Sequence, residues 1–84
     1  MIQCAALRIG EITMSKKPPT RHHDLLRELD RILEGAEPRH DVEQGFLTSD
    51  GRFVDRVEGA RIAVDGGQIK ALRWPPDLYS EDLW

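Results

Sequence analysis

Residues 21–24, with the sequence Arg-His-His-Asp, carry the side chains best suited to chemistry in this chain. They fall where a helix is predicted to begin, and the unpaired amides of a helix N-terminus attract phosphates and carboxylates. Arg21 and one histidine would add donors, and Lys16 and Lys17 precede them. The segment therefore predicts a pocket for an anion or a nucleotide phosphate. In the alternative interpretation, His22 packs on the apolar side of the helix and its neighbours lie in solvent.

The same segment, together with two residues further along the chain, offers side chains that can bind a metal. The pool of possible ligands is His22, His23, Asp24, His40 and Asp41. Adjacent histidines on a helix point about 100° apart, and no second histidine follows at i+4. HD-type phosphohydrolases also bind metal through an adjacent His-Asp pair. They need further ligands on several helices, and this chain is too short to supply them. We expect no metal and no cofactor.

Nucleophilic catalysis has equally little support. Cys4 lies in an apolar stretch, where a thiol is usually inert, and Ser49 beside Asp50 is ordinary turn chemistry. The sequence contains no Gly-x-Ser-x-Gly motif, phosphate loop or paired-glycine nucleotide fingerprint. We therefore expect a binding protein and not an enzyme.

The segment Trp74–Trp84 holds both tryptophans and the only tyrosine. Termini are normally dispensable, so this aromatic content predicts a tail that docks on its own domain or on a neighbouring subunit. Its aromatic side chains either complete a core or interface, or form a stacking surface for a base.

The first half of the chain predicts two strands and a helix. A strand from Ile2 turns at Gly10 into a second short strand, and a loop covers residues 15–19 because consecutive prolines cannot extend a ladder. Thr20 is predicted to be the N-cap of a helix that runs to about Glu34 and stops at Gly35. The predicted apolar stripe of that helix consists of His22, Leu25, Leu26, Leu29, Ile32 and Leu33.

The second half begins with a predicted loop over residues 36–44. A hairpin with its turn at Asp50-Gly51 follows, and Asp55 with Glu58 forms a capping-box pattern for a helix from Arg56 to about Asp65. Gly66 is predicted as the C′ residue, and residues 68–72 as one more strand. The inward residues of this helix are predicted to be Val57, Ala60, Ala63 and Val64.

These elements predict an α+β fold, a single domain over residues 1–84 with two helices packed on short antiparallel strands and a docked tail at 74–84. Eighty-four residues with one cysteine bury a small core without an internal disulfide, which favours a homo-oligomer. A net charge of −3 argues against a nucleic-acid partner. No stretch is long and apolar enough for a membrane span and no signal peptide is apparent, so we expect a cytoplasmic protein.

Several motifs resemble a family of small bacteriophage and prophage proteins. They are residues 21–24, residues 44–56 (QGFLTSDGRFVDR), residues 67–69 (GQI) and residues 78–84 (LYSEDLW). The resemblance implies a bacterial host cell. Short acidic phage proteins without catalytic motifs often resemble inhibitors of bacterial defence. One class sequesters a nucleotide-derived immune signal in an oligomer, and another binds a defence protein or complex directly, as anti-CRISPR proteins do.

We hypothesise a homo-oligomer that binds a phosphorylated, nucleotide-like small molecule. The direct inhibitor of a host defence protein is the alternative. Phosphate would be held at the start of the first helix, and the pocket would be completed across a subunit boundary. The expected ligand-binding residues are Arg21, His22, His23, Arg52, Arg56 and Trp84.

Overall fold

The computed structural model describes residues 1–33 and 42–84. Its strands are β1 (Ile2–Ile9), β2 (Ile12–Ser15), β3 (Val42–Thr48) and β4 (Phe53–Asp55), and its helices are α1 (His22–Leu33) and α2 (Arg56–Asp65). A short 3-10 helix, Ser80–Asp82, lies in the C-terminal tail. The predicted helix end at Glu34 and Gly35, and His40 and Asp41 of the metal pool, lie outside the described residues.

The four strands form one antiparallel sheet in the order β2-β1-β3-β4, which confirms the predicted α+β fold. Both predicted hairpin turns are present, with Gly10 at φ 61° and Gly51 at φ 85°, conformations that glycine adopts without a Cβ clash. The loop predicted to extend to Gln44 is shorter, because β3 begins at Val42 and pairs there with Ile9.

Both helices contribute to a single core on one face of the sheet. Its largest fully buried apolar side chains are Leu7, Leu25, Phe46 and Leu78. The register of β1 against β3 shifts between Ile2 and Cys4. An extra residue in a strand reverses which side chains face inward, so Ile2 joins the core although alternation from Leu7 would turn it outward.

Helix α1 begins at His22, so the predicted N-cap at Thr20 is wrong. The reason is the side chain of Asp24, whose carboxylate accepts a hydrogen bond from the Arg21 amide at 3.0 Å and fixes the turn one residue later. Leu25 and Leu29 are buried as predicted, whereas Ile32 is 63% exposed.

Helix α2 has the predicted bounds, and the Asp55 carboxylate accepts from the Glu58 amide at 2.8 Å, which is one half of the predicted capping box. The Glu58 carboxylate does not make the other half but accepts from Arg61. Of the predicted inward residues of α2, Ala60 and Ala63 are buried as expected, whereas Val57 and Val64 are exposed and Gly59 is buried in their place. A Cβ on Gly59 would lie 3.2 Å from the Phe46 ring, so glycine here permits close contact between helix and sheet.

The end of α2 differs from the prediction by one residue. Gly66 has φ −82°, and Gly67 takes the left-handed C′ position with φ 72°. The amide of Gly67 donates to the Val64 carbonyl at 3.1 Å and that of Gln68 to the Ala63 carbonyl at 2.9 Å, which is a Schellman motif.

No strand forms over residues 68–72. Instead, the side-chain amide of Gln68 accepts from the Ile2 amide and donates to the Ile2 carbonyl, both at 2.8 Å. One side chain thus supplies the hydrogen bonds that a neighbouring strand would have supplied to Ile2, which explains why the predicted strand is not needed there.

Candidate functional site

Arg21 holds the end of the C-terminal tail. Its guanidinium donates through Nε, at 2.8 Å, and through Nη2 to the main-chain oxygen of Trp84. The Trp84 indole N–H in turn donates to the Thr20 carbonyl at 3.0 Å. The structure therefore brings Arg21 and Trp84 together, with Arg21 donating to an oxygen atom that belongs to the chain itself.

His22 lies in the core and is 6% exposed. Its Nε2 lies 2.6 Å from the Gly45 carbonyl, which can only accept, so Nε2 carries the proton. Nδ1 is then the acceptor for the Ser80 hydroxyl at 2.6 Å, and Phe46 contacts the ring edge-to-face at 4.9 Å. Both ring nitrogens are thus engaged inside the protein, and neither can contact a phosphate in this arrangement.

The protonation of His22 follows from the same surroundings. Burial lowers its pKa to about 4, the Gly45 hydrogen bond opposes that shift, and the nearby Arg56 charge adds to it. A neutral imidazole with both nitrogens bonded is a structural group. The prediction of His22 as a ligand is corrected here, and the alternative interpretation, in which it packs on the apolar stripe, describes it correctly.

His23 projects outward on the adjacent side of α1, as expected for consecutive helical residues. Its Nε2 lies 3.3 Å from the Asp24 carboxylate. The pKa of Asp24 is lowered, chiefly by the hydrogen bond from the Arg21 amide. Arg21, His22 and His23 were the predicted phosphate ligands at the start of α1. Of these three, His23 is the one whose side chain is exposed to solvent.

Arg56, the first residue of α2, is half-buried under the tail. Its guanidinium donates to the Leu78 carbonyl at 2.8 Å and to the Gln44 side-chain oxygen at 2.6 Å. It also lies 4.4 Å from the centroid of the Tyr79 ring. Arg56 therefore binds the tail at Leu78 and supports the ring of Tyr79. The sequence pattern did not indicate this role.

Arg52 belongs to a different part of the molecule. It lies in the β3–β4 turn, where its amide donates to the Thr48 hydroxyl at 3.1 Å and its guanidinium is 4.0 Å from the Glu58 carboxylate. These contacts are with the hairpin and with α2. The structure does not bring Arg52 into contact with Arg21 or Trp84 within one chain.

An exposed aromatic cleft lies on the outer side of the tail. It is lined by Trp74, Tyr79 and Glu81 and has a volume of about 290 Å³. The rings of Trp74 and Tyr79 meet edge-to-face at 5.4 Å, and Trp74 remains 53% exposed. The sequence pattern identified the aromatic residues as a possible stacking surface but did not indicate the carboxylate beside them.

The sequence also raised Cys4 and a metal site as chemical candidates. Burial raises the pKa of the Cys4 thiol, so it is held as the poorly nucleophilic neutral form. Among residues 1–33 and 42–84, no group of three or more His, Cys, Asp or Glu side chains is arranged to hold a metal ion. Nor does any helix within those ranges have the length and apolarity needed to cross a membrane.

The chain belongs to a phage protein family. The model of the family described as Phage T4 y16D protein matches residues 1–84, the whole of this sequence, and confirms the resemblance to small phage proteins. Neither the curated proteins nor the solved structures that were compared with the chain match it.

Proposed function

We propose that this phage protein is a non-enzymatic binding protein that sequesters a nucleotide-derived signalling molecule in the cytoplasm of the bacterial host. The base of the ligand occupies the cleft of Trp74, Tyr79 and Glu81. The observation that carries the proposal is a half-exposed tryptophan held edge-to-face on a tyrosine, with a carboxylate beside both. Membership of a phage family supports the setting in an infected cell.

Base stacking accounts for the exposed aromatic surface. The open face of Trp74 offers a planar apolar surface, and stacking of one base on an aromatic side chain is worth about 1–3 kcal/mol. Tyr79 is fixed from behind by the Arg56 guanidinium at 4.4 Å, so the cleft does not have to be ordered when a ligand enters.

Glu81 supplies selectivity. An ionised carboxylate accepts hydrogen bonds and donates none, so it favours a base that presents N–H groups on its edge. Adenine, guanine and cytosine each carry an exocyclic amine that meets this requirement. Of these bases, the two-ring purines also offer the larger face to stack on Trp74, and we therefore assign the ligand to the purine nucleotides.

The phosphate end is assigned to the start of α1, where His23 is exposed and Arg21 already binds an oxygen atom. A phosphate oxygen that replaced the main-chain oxygen of Trp84 would accept from the same guanidinium, and Arg–phosphate pairs are strong because both hydrogen bonds are charge-assisted. Ligand binding would in that case loosen the last residue of the tail.

Titration calorimetry with purine and pyrimidine mononucleotides and with cyclic dinucleotides tests the proposal. Binding of a purine compound is expected, and Trp74→Ala should weaken it by about 1–3 kcal/mol, or roughly 5- to 150-fold. Glu81→Gln should reduce the preference for purines. Val57→Ala is the matched control, because Val57 is 53% exposed like Trp74 but lies on α2. Absence of binding by every compound, or binding that Trp74→Ala leaves unchanged, refutes the proposal.

Direct inhibition of a host defence protein is the second candidate, and the same exposed Trp74 favours it, since tryptophan is enriched at the centres of protein interfaces. It predicts that the protein retains a host protein from an infected-cell lysate. Trp74→Ala should abolish that retention, and purine nucleotides should not compete with it.

A further inference from the structure

Strand β2 is an edge strand whose outer side has no partner among the described residues. It pairs with β1 alone, through Ile9 opposite Ile12 and Leu7 opposite Met14. The two-residue turn closes on the Ile9–Ile12 pair, so the amide and carbonyl groups of Ile12 and Met14 point toward β1. Thr13, between them, therefore directs its amide and carbonyl groups outward, as does Ser15.

The geometry points to a second copy of this chain as the partner of that edge, with the two β2 strands antiparallel about a two-fold axis and the two sheets joined into one of eight strands. Unpaired edge strands are ready templates for such pairing. The other edge is less suited to this role, because β4 has only three residues and continues directly into α2.

Charge complementarity selects the register. Opposite residues of antiparallel strands point to the same face of the sheet, so Met14 can face Met14 of the second copy, or Thr13 can face Thr13. With Met14 on the axis, Thr13 lies opposite Ser15. Glu11, in the turn just before β2, then comes level with Lys17, two residues beyond the end of the strand, at both ends of the paired segment. With Thr13 on the axis, Glu11 lies opposite Ser15 and no opposite charges meet. The first register is therefore preferred.

An apolar groove beside β2 supports the same arrangement. The groove has a volume of about 530 Å³ and runs between β2 and the outer side of α1. Ile12 is 69% exposed and Ile32 is 63% exposed at its margins. The joined strands would set the two grooves side by side across the axis. Burial of these side chains would enlarge the hydrophobic surface of a domain that is small for independent stability.

This interface uses none of the residues of the aromatic cleft. The interface specifies how two copies of the expected homo-oligomer would pair, and this pairing does not depend on nucleotide binding. Failure of nucleotide binding and failure of dimerisation are therefore separate results.

Sedimentation equilibrium of the full chain without nucleotide tests the dimer. The wild type is expected to sediment at twice its 9.6 kDa monomer mass. Thr13→Pro should give a monomer, since proline removes an amide that points away from β1 and is tolerated on an edge strand. Circular dichroism establishes that this variant is folded.

A charge exchange tests the register even if Thr13→Pro does not fold. Glu11→Lys should raise the dimer dissociation constant by about tenfold or more, because a lysine then faces Lys17 in two symmetric places. Glu11→Lys combined with Lys17→Glu should restore the wild-type constant. Asp65→Lys, the same charge change at the exposed end of α2, should have little effect. A wild-type monomer at millimolar concentration, a folded Thr13→Pro dimer, or a double variant as weak as Glu11→Lys overturns the proposal.

Discussion

Mild acid should destabilise the protein because His22 is buried as a neutral ring. In the unfolded chain this histidine takes up a proton near its ordinary pKa of 6.5, whereas in the folded protein the pKa is about 4. The contribution of the neutral ring to the free energy of unfolding is therefore complete above pH 6.5. It is lost as the pH falls from 6.5 toward 4. Protonation would also give Nδ1 a hydrogen where the Ser80 hydroxyl now donates.

The magnitude follows from linkage. A pKa difference of one corresponds to about 1.4 kcal/mol, so a fall in the His22 pKa from 6.5 to about 4 amounts to about 3 kcal/mol at low pH. About 2 kcal/mol of this is already lost at pH 5. A small domain has a total free energy of unfolding of about 5–15 kcal/mol, so a loss of this size is readily measured. The lowered pKa values of Asp24 and Asp50 act below their ordinary value of 3.8 and leave this window largely unaffected.

Urea unfolding followed by far-UV circular dichroism, near neutral pH and at about pH 5, measures the effect. The wild type should lose about 2 kcal/mol, and His22→Gln, which cannot titrate, should lose much less. His23→Gln is the matched control, because it removes the exposed neighbouring histidine and should retain the wild-type loss. His40 lies outside the described residues and is common to all three proteins. If the free energy of unfolding of His22→Gln fell at pH 5 by as much as that of the wild type, His22 would not be the source of the acid sensitivity.

Three further predictions concern stability and use the same urea assay near neutral pH. Leu78→Ala should cost about 2–5 kcal/mol because this tail residue is fully buried, whereas the exposed Val57→Ala should cost well under that; equal losses would show that the tail is not part of the core. Asp55→Ala should cost about 1 kcal/mol by removing the helix cap, and an unchanged midpoint would contradict the cap. Gly67→Ala should cost about 1–2 kcal/mol because its φ is 72°, and a neutral effect would contradict the left-handed conformation.

The parts of the fold that the sequence predicted are those that depend on neighbouring residues. The turns at Gly10 and Gly51 need a residue that tolerates positive φ, and the cap at Asp55 needs a carboxylate three residues before an amide. These requirements are met within a few positions of the chain, so the residue types alone identify them.

The errors concern contacts between distant parts of the chain. The predicted strand at residues 68–72 was replaced by a side-chain bond from Gln68 to Ile2, 66 positions away. The orientation of α2 depends on the Phe46 ring, which contacts the small face at Gly59, and hydrophobicity alone favoured Val57 and Val64. Neither partner can be inferred from local spacing.

The start of α1 shows the same difference between what neighbouring residues determine and what distant contacts determine. Residue types there predicted a phosphate site, since Arg21 has donors and a helix N-terminus normally presents unpaired amides. In the structure, the Arg21 guanidinium binds an oxygen atom of Trp84, and the His22 amide donates to the Ser80 hydroxyl. Which oxygen occupies the position depends on where residue 84 lies, 63 positions along the chain from Arg21. The tail satisfies Arg21, His22 and Arg56 with oxygen atoms of Trp84, Ser80 and Leu78, respectively. In the proposed binding mode, a ligand anion would have to compete with the tail at Arg21, whereas a base stacked on the exposed Trp74 would not, so we expect the first contact to be made at the cleft.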